Sequence, residues 1–356
     1  MFVKLAPGGQ SRRSTEATLS GVAPGDAAIL AEETPGGEQP ESQAPREGRS
    51  PSQIAIERLR TDIVAMVSLG VIIFFVIVAV GAPLWTSLLG VDDQQHQELL
   101  DINTGIGLTQ MSAAHPFGVE AGSGVDLFYK WAYGARPSLV IGILAAGASV
   151  VIGAILGLLA GFFGGWTDRV IQWLIDFFLA LPFLLMAIGI IPIAILRFGG
   201  ADSIGFIEPE TEAKIRFAAV VLVLALFGWT TVARLVRGEV LSLREREFVQ
   251  ASKALGASSS RVLFKEMLPN LVSPILVNLT ILIPAYISAE AGLSFLGVGL
   301  QPPTYSWGQT IASAESYFEA YPIWLWVPAG SVAILVLALS LFGDAVSDAF
   351  NPQTRR

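Results

Sequence analysis

Beyond residue 62 the chain alternates between long apolar blocks and shorter mixed stretches. The blocks cover 63–84, about 139–163, roughly 170–196, 217–236, about 271–293 and about 323–342. Each supplies the ~20 residues that cross a hydrocarbon core as a helix. They are too long and too evenly apolar for the alternating strands of a barrel. In lipid, a helix satisfies its own backbone within the segment. The pattern therefore predicts an all-α polytopic membrane protein with six transmembrane helices. One block alone would read as well as a buried core helix, but six in succession do not. The third block is interrupted by Asp176, Pro182 and Pro192. The second carries Gly142, Gly147, Gly153, Gly157 and Gly161 with Ala146, Ala154 and Ala160. Small residues let helix backbones approach closely, and ordinary membrane-helix composition would look the same.

Residues 1–52 have no apolar periodicity and are rich in Gly, Pro, Ser, Glu and Gln. Such a stretch buries too little surface to offset its ordering entropy, which predicts a disordered cytoplasmic tail. A cleaved signal peptide is not expected, because the first apolar run begins only at residue 63. Composition agrees with a membrane protein. Hydrophobic residues make up 53% of the chain and charged residues 15%, against roughly 25% charged in soluble domains. A net charge of −8 disfavours nucleic-acid partners, which ask for a basic footprint. The absence of cysteine removes disulfides, thiolate metal sites and cysteine nucleophiles. His96 and His115 are the only imidazoles, so a multi-histidine metal centre is excluded. No metal or cofactor site is expected in this chain.

Basic residues set the orientation. With a cytoplasmic N-terminus, 17 of the 22 Lys and Arg residues fall inside, against Lys130, Arg136, Arg197, Lys214 and Arg216 outside. The bias survives removal of the distant tail charges, so both termini are expected in the cytoplasm. Trp307, Trp324 and Trp326 would then form an aromatic belt at the outer interface. The acidic outer segments read as solvated surface, with attraction of a cationic solute as the alternative.

The inner segment 237–270 reads differently from a passive connector. Leu241, Leu243, Phe248, Val249, Ala251 and Leu255 interleave with charge at roughly helical spacing. Gly256 suits the left-handed end of that helix. Ser258 or Ser259 would cap a second short helix through Val262, Leu263, Phe264 and Met267. Pro269 marks where that helix must stop or bend into the next span. Such a pair fits docking onto another protein, and it fits equally an amphipathic helix lying on lipid.

Gln250–Pro269, QASKALGASSSRVLFKEMLP, resembles the cytoplasmic loop signature of binding-protein-dependent ATP-binding-cassette (ABC) importer permeases. That signature is Glu-Ala-Ala, three residues, Gly, then a spacer ending in Leu-Pro. Gln250 replaces its Glu and Ser252 its second Ala. Further likeness lies in His115-Pro116-Phe117-Gly118, Asp126, Tyr133 to Leu139, Asp176 with Ala180-Leu181-Pro182, Ala289-Glu290-Ala291, Leu293 to Gly297, Gln301-Pro302-Pro303 and Trp307-Gly308. Gly124-Val125-Asp126 stands where Gly-Arg-Asp is usual. Together these resemble the peptide/nickel branch, and most of all the C-type permease of dipeptide or oligopeptide importers.

The resemblance implies a type I importer permease fold over 53–352, a coupling loop at 237–270 and a short tail at 353–356. It implies a non-catalytic subunit of the prokaryotic cell membrane. Its partners would be a second homologous permease, two ATPase subunits carrying ATP and Mg, an extracytoplasmic binding protein, and a peptide as substrate. The chain itself has no G-x-x-x-x-G-K-[ST] run. Gln250, Ala251, Gly256, Ala257, Leu268 and Pro269 would contact the ATPase and transmit its closure. Asp176, Pro182, Glu290 and Gly297 are structural or gating candidates. For Glu290 a structural hydrogen bond is the first reading and proton relay the second. His115 is read as a loop contact. Nickel chelates or another small solute are the alternative cargo. An ion-coupled transporter would call for central charges or a duplicated half, which spans one, four and six do not offer. A membrane scaffold using the same docking loop is a further alternative.

Overall fold

The computed structural model of the chain describes residues 51–101, 111–200 and 207–350. The tail foreseen over 1–52 lies outside the described residues except at its end, where Pro51–Thr61 forms helix α1. The short tail at 353–356 also lies outside them.

Twelve α-helices follow in chain order among the described residues: α1 (Pro51–Thr61), α2 (Ile63–Val80), α3 (Ala82–Leu89), α4 (Leu127–Phe163), α5 (Gly165–Ala180), α6 (Phe183–Phe198), α7 (Pro209–Arg244), α8 (Glu247–Ala254), α9 (Ser259–Arg261), α10 (Leu268–Phe295), α11 (Trp307–Ala314) and α12 (Pro322–Phe350). Five segments are each long and apolar enough to cross a membrane alone: α2, α4, α7, the stretch Ser259–Phe295 that ends in α10, and α12. The third expected span is not one helix. It is the pair α5 and α6, bent by 90° at Leu181–Pro182. Pro182 carries no N–H and disfavours a helical residue before it, so Leu181 turns extended (φ −83°, ψ 128°) and the helix ends.

α4 and α7 begin well before their apolar blocks. α4 starts at Leu127 because the buried Asp126 caps it, accepting from the Phe128 and Tyr129 amides at 2.7 and 3.1 Å. α7 starts at Pro209, where Glu210–Lys214 and Glu212–Arg216 pair one turn apart.

α4 and α7 form the centre of the bundle and run in the same direction. Gly153 faces Trp229 and Val232, Gly157 faces Ala233 and Val236, and Gly161 faces Arg237 and Val240. A methyl added at any of these would lie 2.5–2.6 Å from an atom of α7, so this four-residue repeat brings the backbones together as small residues do in membranes. Gly147 meets nothing and has no such role. α10 covers α4 near Gly142 through Ile283 and Ile287, and α12 packs on α2 and α10. The outward side of α4 is aliphatic, with Val140, Ile143, Leu144, Val151 and Ile155 exposed. That surface suits hydrocarbon rather than water.

Two of the three tryptophans of the expected aromatic belt lie inside the protein. Trp326 is exposed, but Trp307 and Trp324 are core residues. Trp307 donates its indole N–H to the Trp131 carbonyl at 2.9 Å and sits edge-on to Phe75. Its N–H has a protein partner, so the whole ring can be buried.

Candidate functional site

At one end of the bundle α7 stops at Arg244, and a turn at Glu245–Arg246 leads into α8. The helical pattern read across 241–255 is therefore two helices rather than one. Val249 is fully buried against Val262, Leu263 and Met267 and against the end of α7 at Val236 and Val240. Lys253 adds a cation–π contact with Phe162 at the end of α4, 5.3 Å from the ring centre. α8 is thus fixed to both central helices.

Its C-terminus closes as a Schellman turn. Gly256 donates to Lys253 O at 2.9 Å and Ala257 to Ser252 O at 3.1 Å, with Gly256 at φ +80°. Ser258 then caps α9 through the Arg261 amide. Beyond it the chain does not stop at Pro269. Val262–Met267 is a π-helical segment running directly into α10, in which Leu268 N–H reaches Leu263 O, five residues back. The wider turn accommodates Pro269 within α10's first turn, where its missing N–H costs nothing.

Gln250 does something a glutamate would not. Its side-chain amide donates to the Arg244 carbonyl at 2.9 Å, satisfying a carbonyl at the end of α7. A carboxylate has no proton for that bond. Gln250, Ala251, Gly256 and Pro269 are exposed, while Ala257 and Leu268 are half-buried. Around them Leu255 (89% exposed), Phe264 (61%) and Phe248 (42%) stand free. The result is a rigid helical turn presenting apolar side chains beside Arg246, Lys253, Arg261 and Lys265.

The opposite end holds a buried polar knot. Glu290 has no exposure. Ser138 of α4 donates to its Oε2 at 2.6 Å and Ser294 to its Oε1 at 2.7 Å. The buried Ser306 side chain lies close to the same carboxyl. Ser294 Oγ accepts from Leu300 N at 2.9 Å, and Ser306 caps α11. Gly297, at φ +77°, closes α10 by sending Val298 N–H back to Leu293 O. A methyl on Gly308 would overlap the Ala291 carbonyl. These residues form one tightly packed structural unit joining α4, α10 and α11.

A family profile described as "Binding-protein-dependent transport system inner membrane component" matches residues 153–356. Another, "N-terminal TM domain of oligopeptide transport permease C", matches residues 50–99. The dipeptide transport system permease protein of Alkalihalophilus pseudofirmus is 34% identical over 306 residues, 86% of this chain and 91% of the relative. The oligopeptide transport system permease protein of Bacillus subtilis is 34% identical over 302 residues, 85% of this chain and 90% of the relative. This chain belongs to the binding-protein-dependent transport inner-membrane component family. It is a multi-pass permease of the inner membrane. A solved inward-facing MetNI methionine ABC transporter is 18% identical, covering 63% of this chain and 98% of its own, with a TM-score of 0.49.

Between the two ends of the permease, α5 is tied to α7 by two ion pairs. Arg237 grips Asp168 bidentately at 2.5 and 2.8 Å, and Arg234 meets Asp176 at 3.0 Å. Asp176 is therefore partnered, on an exposed face, just before the break at Pro182. His115 binds the α4-capping Asp126 at 2.8 Å, a loop contact. Among the described residues no cluster of three His, Asp or Glu side chains is placed to hold a metal.

Sequence reading assigned no structural role to two arginines of its outer segments. Arg136 donates to Ala79 O at 2.5 Å and Val80 O at 2.9 Å. Ala79's helical donor would be residue 83, which is proline, so Arg136 supplies the lost hydrogen bond where α2 breaks into α3. Arg216 donates to the carbonyls of Val298 and Gly299, both at 3.2 Å, and ties α7 to the Gly297 turn. A proline four residues beyond an apolar helix end is the clue to the first. Nothing in the local pattern marks the second.

Proposed function

We propose that the permease is the transmembrane subunit of an ATP-driven importer that translocates dipeptides or oligopeptides delivered by an extracytoplasmic binding protein. Both termini and α8 face the cytoplasm, in keeping with the distribution of Lys and Arg. A second homologous permease completes the membrane path, and two ATPase subunits hold ATP and Mg and supply the energy. The observation that carries this reading is the α8 turn, a buried-anchored helix with exposed Phe248, Leu255 and Phe264 on a chain of this family. The names of the dipeptide and oligopeptide relatives support the cargo.

In mechanism, closure of the ATPase dimer moves α8. Val249 and the π-segment carry that motion to α7 and α10, and the Asp168–Arg237 and Asp176–Arg234 pairs carry it to α5 and the Pro182 break. Two arrangements of the bundle, biased by the nucleotide state, give alternating access. Gln250, Ala251, Gly256, Ala257, Leu268 and Pro269 shape the coupling surface. Glu290 and Gly297 hold the opposite end rigid. The test is ATP-dependent uptake of labelled dipeptide by the complete assembly in proteoliposomes, with a nickel chelate as competitor cargo. Uptake of peptide with no uptake of chelate is expected, and the reverse would reassign the cargo.

A further inference from the structure

A hollow of about 400 Å³ lies where the third span breaks, lined by residues of α5, α6, α7 and α10. Phe227 and Leu282, on its wall, are the midpoints of α7 and α10, so the hollow sits at mid-depth in the bundle. Non-helical backbone at that depth is tolerated only where protein covers it or water reaches it. The surface beside it distinguishes these from lipid. α7 exposes Thr231, Arg234 and Gly238 in successive turns, and Arg234 carries its pair to the exposed Asp176. An ion pair does not face hydrocarbon, whereas the exposed side of α4 between Val140 and Ile155 is aliphatic.

The wall itself holds no charged residue. It combines Phe178, Phe183 and Phe227 with small Ala285 and Ala289 and with the hydroxyls of Thr230, Thr231 and Tyr286. Tyr286 is fixed by Ser149 at 2.8 Å, and Thr230 by the Phe227 carbonyl at 2.8 Å. A preformed apolar hollow with a few placed hydroxyls is a small-molecule site in its general form.

We propose that this hollow is this chain's wall of the solute path, and that it passes peptides without selecting the charge of their side chains. The inference rests on the importer reading above and adds to it the residues and the selectivity rule. Aromatic faces and hydroxyls contact any peptide backbone. A wall charge at this depth would favour one sign of side chain and hold the other back.

The test uses the complete assembly in proteoliposomes, with Ala-Glu-Ala and Ala-Lys-Ala as cargo. Ala285→Asp is expected to lower uptake of Ala-Glu-Ala relative to Ala-Lys-Ala by about tenfold from the wild-type ratio. Because this chain has no cysteine, Thr231→Cys gives an independent readout if the Asp variant fails to assemble. A charged, membrane-impermeant methanethiosulfonate should label it, transported peptide with ATP should slow the labelling, and Ile155→Cys on the lipid side should stay unlabelled. An unchanged peptide ratio in an assembled Ala285→Asp importer, or a Thr231→Cys that reacts no faster than Ile155→Cys, overturns the proposal. The second result would mean that the partner permease or lipid covers the hollow. With either of those results, wild-type uptake of both peptides confines the failure to this inference, and wild-type uptake of neither takes the importer reading with it.

Discussion

The two ends of the permease solve opposite problems. At the Glu290 end a carboxylate, three serines and two helix termini are buried together, and the polar groups find their partners within the chain. At the other end α8 itself buries only Val249, while Phe248, Leu255 and Phe264 stand in the open. A buried network with its partners in place is complete alone and specifies one geometry. Exposed apolar side chains on an anchored helix gain their stability only when another surface covers them. The first end reads as a fixed frame and the second as a socket. Changes at the frame should act on stability, and changes at the socket on partnership.

The comparison breaks most sharply at Glu290. Glu290→Ala leaves buried hydroxyls without an acceptor and opens a cavity, and should destabilise the permease by about 3 kcal/mol. Thermal unfolding of the purified chain in detergent would read this, and Glu290→Gln should recover most of it. A Glu290→Ala chain as stable as wild type would show that the knot does not hold the frame.

Next come the two left-handed glycines. A β-branched residue at either position carries a backbone strain of roughly 1–2 kcal/mol, because neither has a neighbour for a side chain to strike. Gly297→Val should lower the unfolding temperature. Gly256→Val should leave insertion intact and abolish the ATPase stimulation caused by loaded binding protein. Equal effects of the two on stimulation would erase the distinction between frame and socket.

Leu255→Ser should change the stability of the isolated permease by less than about 0.5 kcal/mol, as exposed sites do. Co-purification of the ATPase subunits should nevertheless fall. The smallest effect on coupling belongs to Gln250→Glu, which removes a donor to the Arg244 carbonyl at a cost of about 1 kcal/mol. ATPase stimulation should drop by less than in Gly256→Val.

How far these features were legible in the sequence follows from the range of the forces involved. Helical spans, the Gly256 turn and the Ser258 cap depend on neighbours a few residues away, and the local pattern announces them. Pro182 announced an interruption but not a right-angle break, since the bend is set by what α5 and α6 pack against on α7. Pro269 misled in the other direction. A proline that ordinarily ends a helix is absorbed by a π-turn that no residue type marks. The burial of Trp307 and Trp324 was hidden because it depends on partners such as Trp131, 176 residues from Trp307. Arg216 and Ser138 were missed for the same reason. The Gly153, Gly157 and Gly161 repeat lay in plain view, but only the facing helix separates it from Gly147, which packs on nothing.

The claim that α8 is a socket for a protein is tested most directly at Leu255. The chain has no cysteine, so Leu255→Cys carrying a benzophenone maleimide places one photo-crosslinker on the most exposed apolar side chain of the turn. In the assembled importer, illumination followed by mass spectrometry should find the adduct on an ATPase subunit, with a yield that changes on adding ATP. An adduct on phospholipid alone, unchanged by ATP, would contradict the account and make α8 a helix that lies on the membrane.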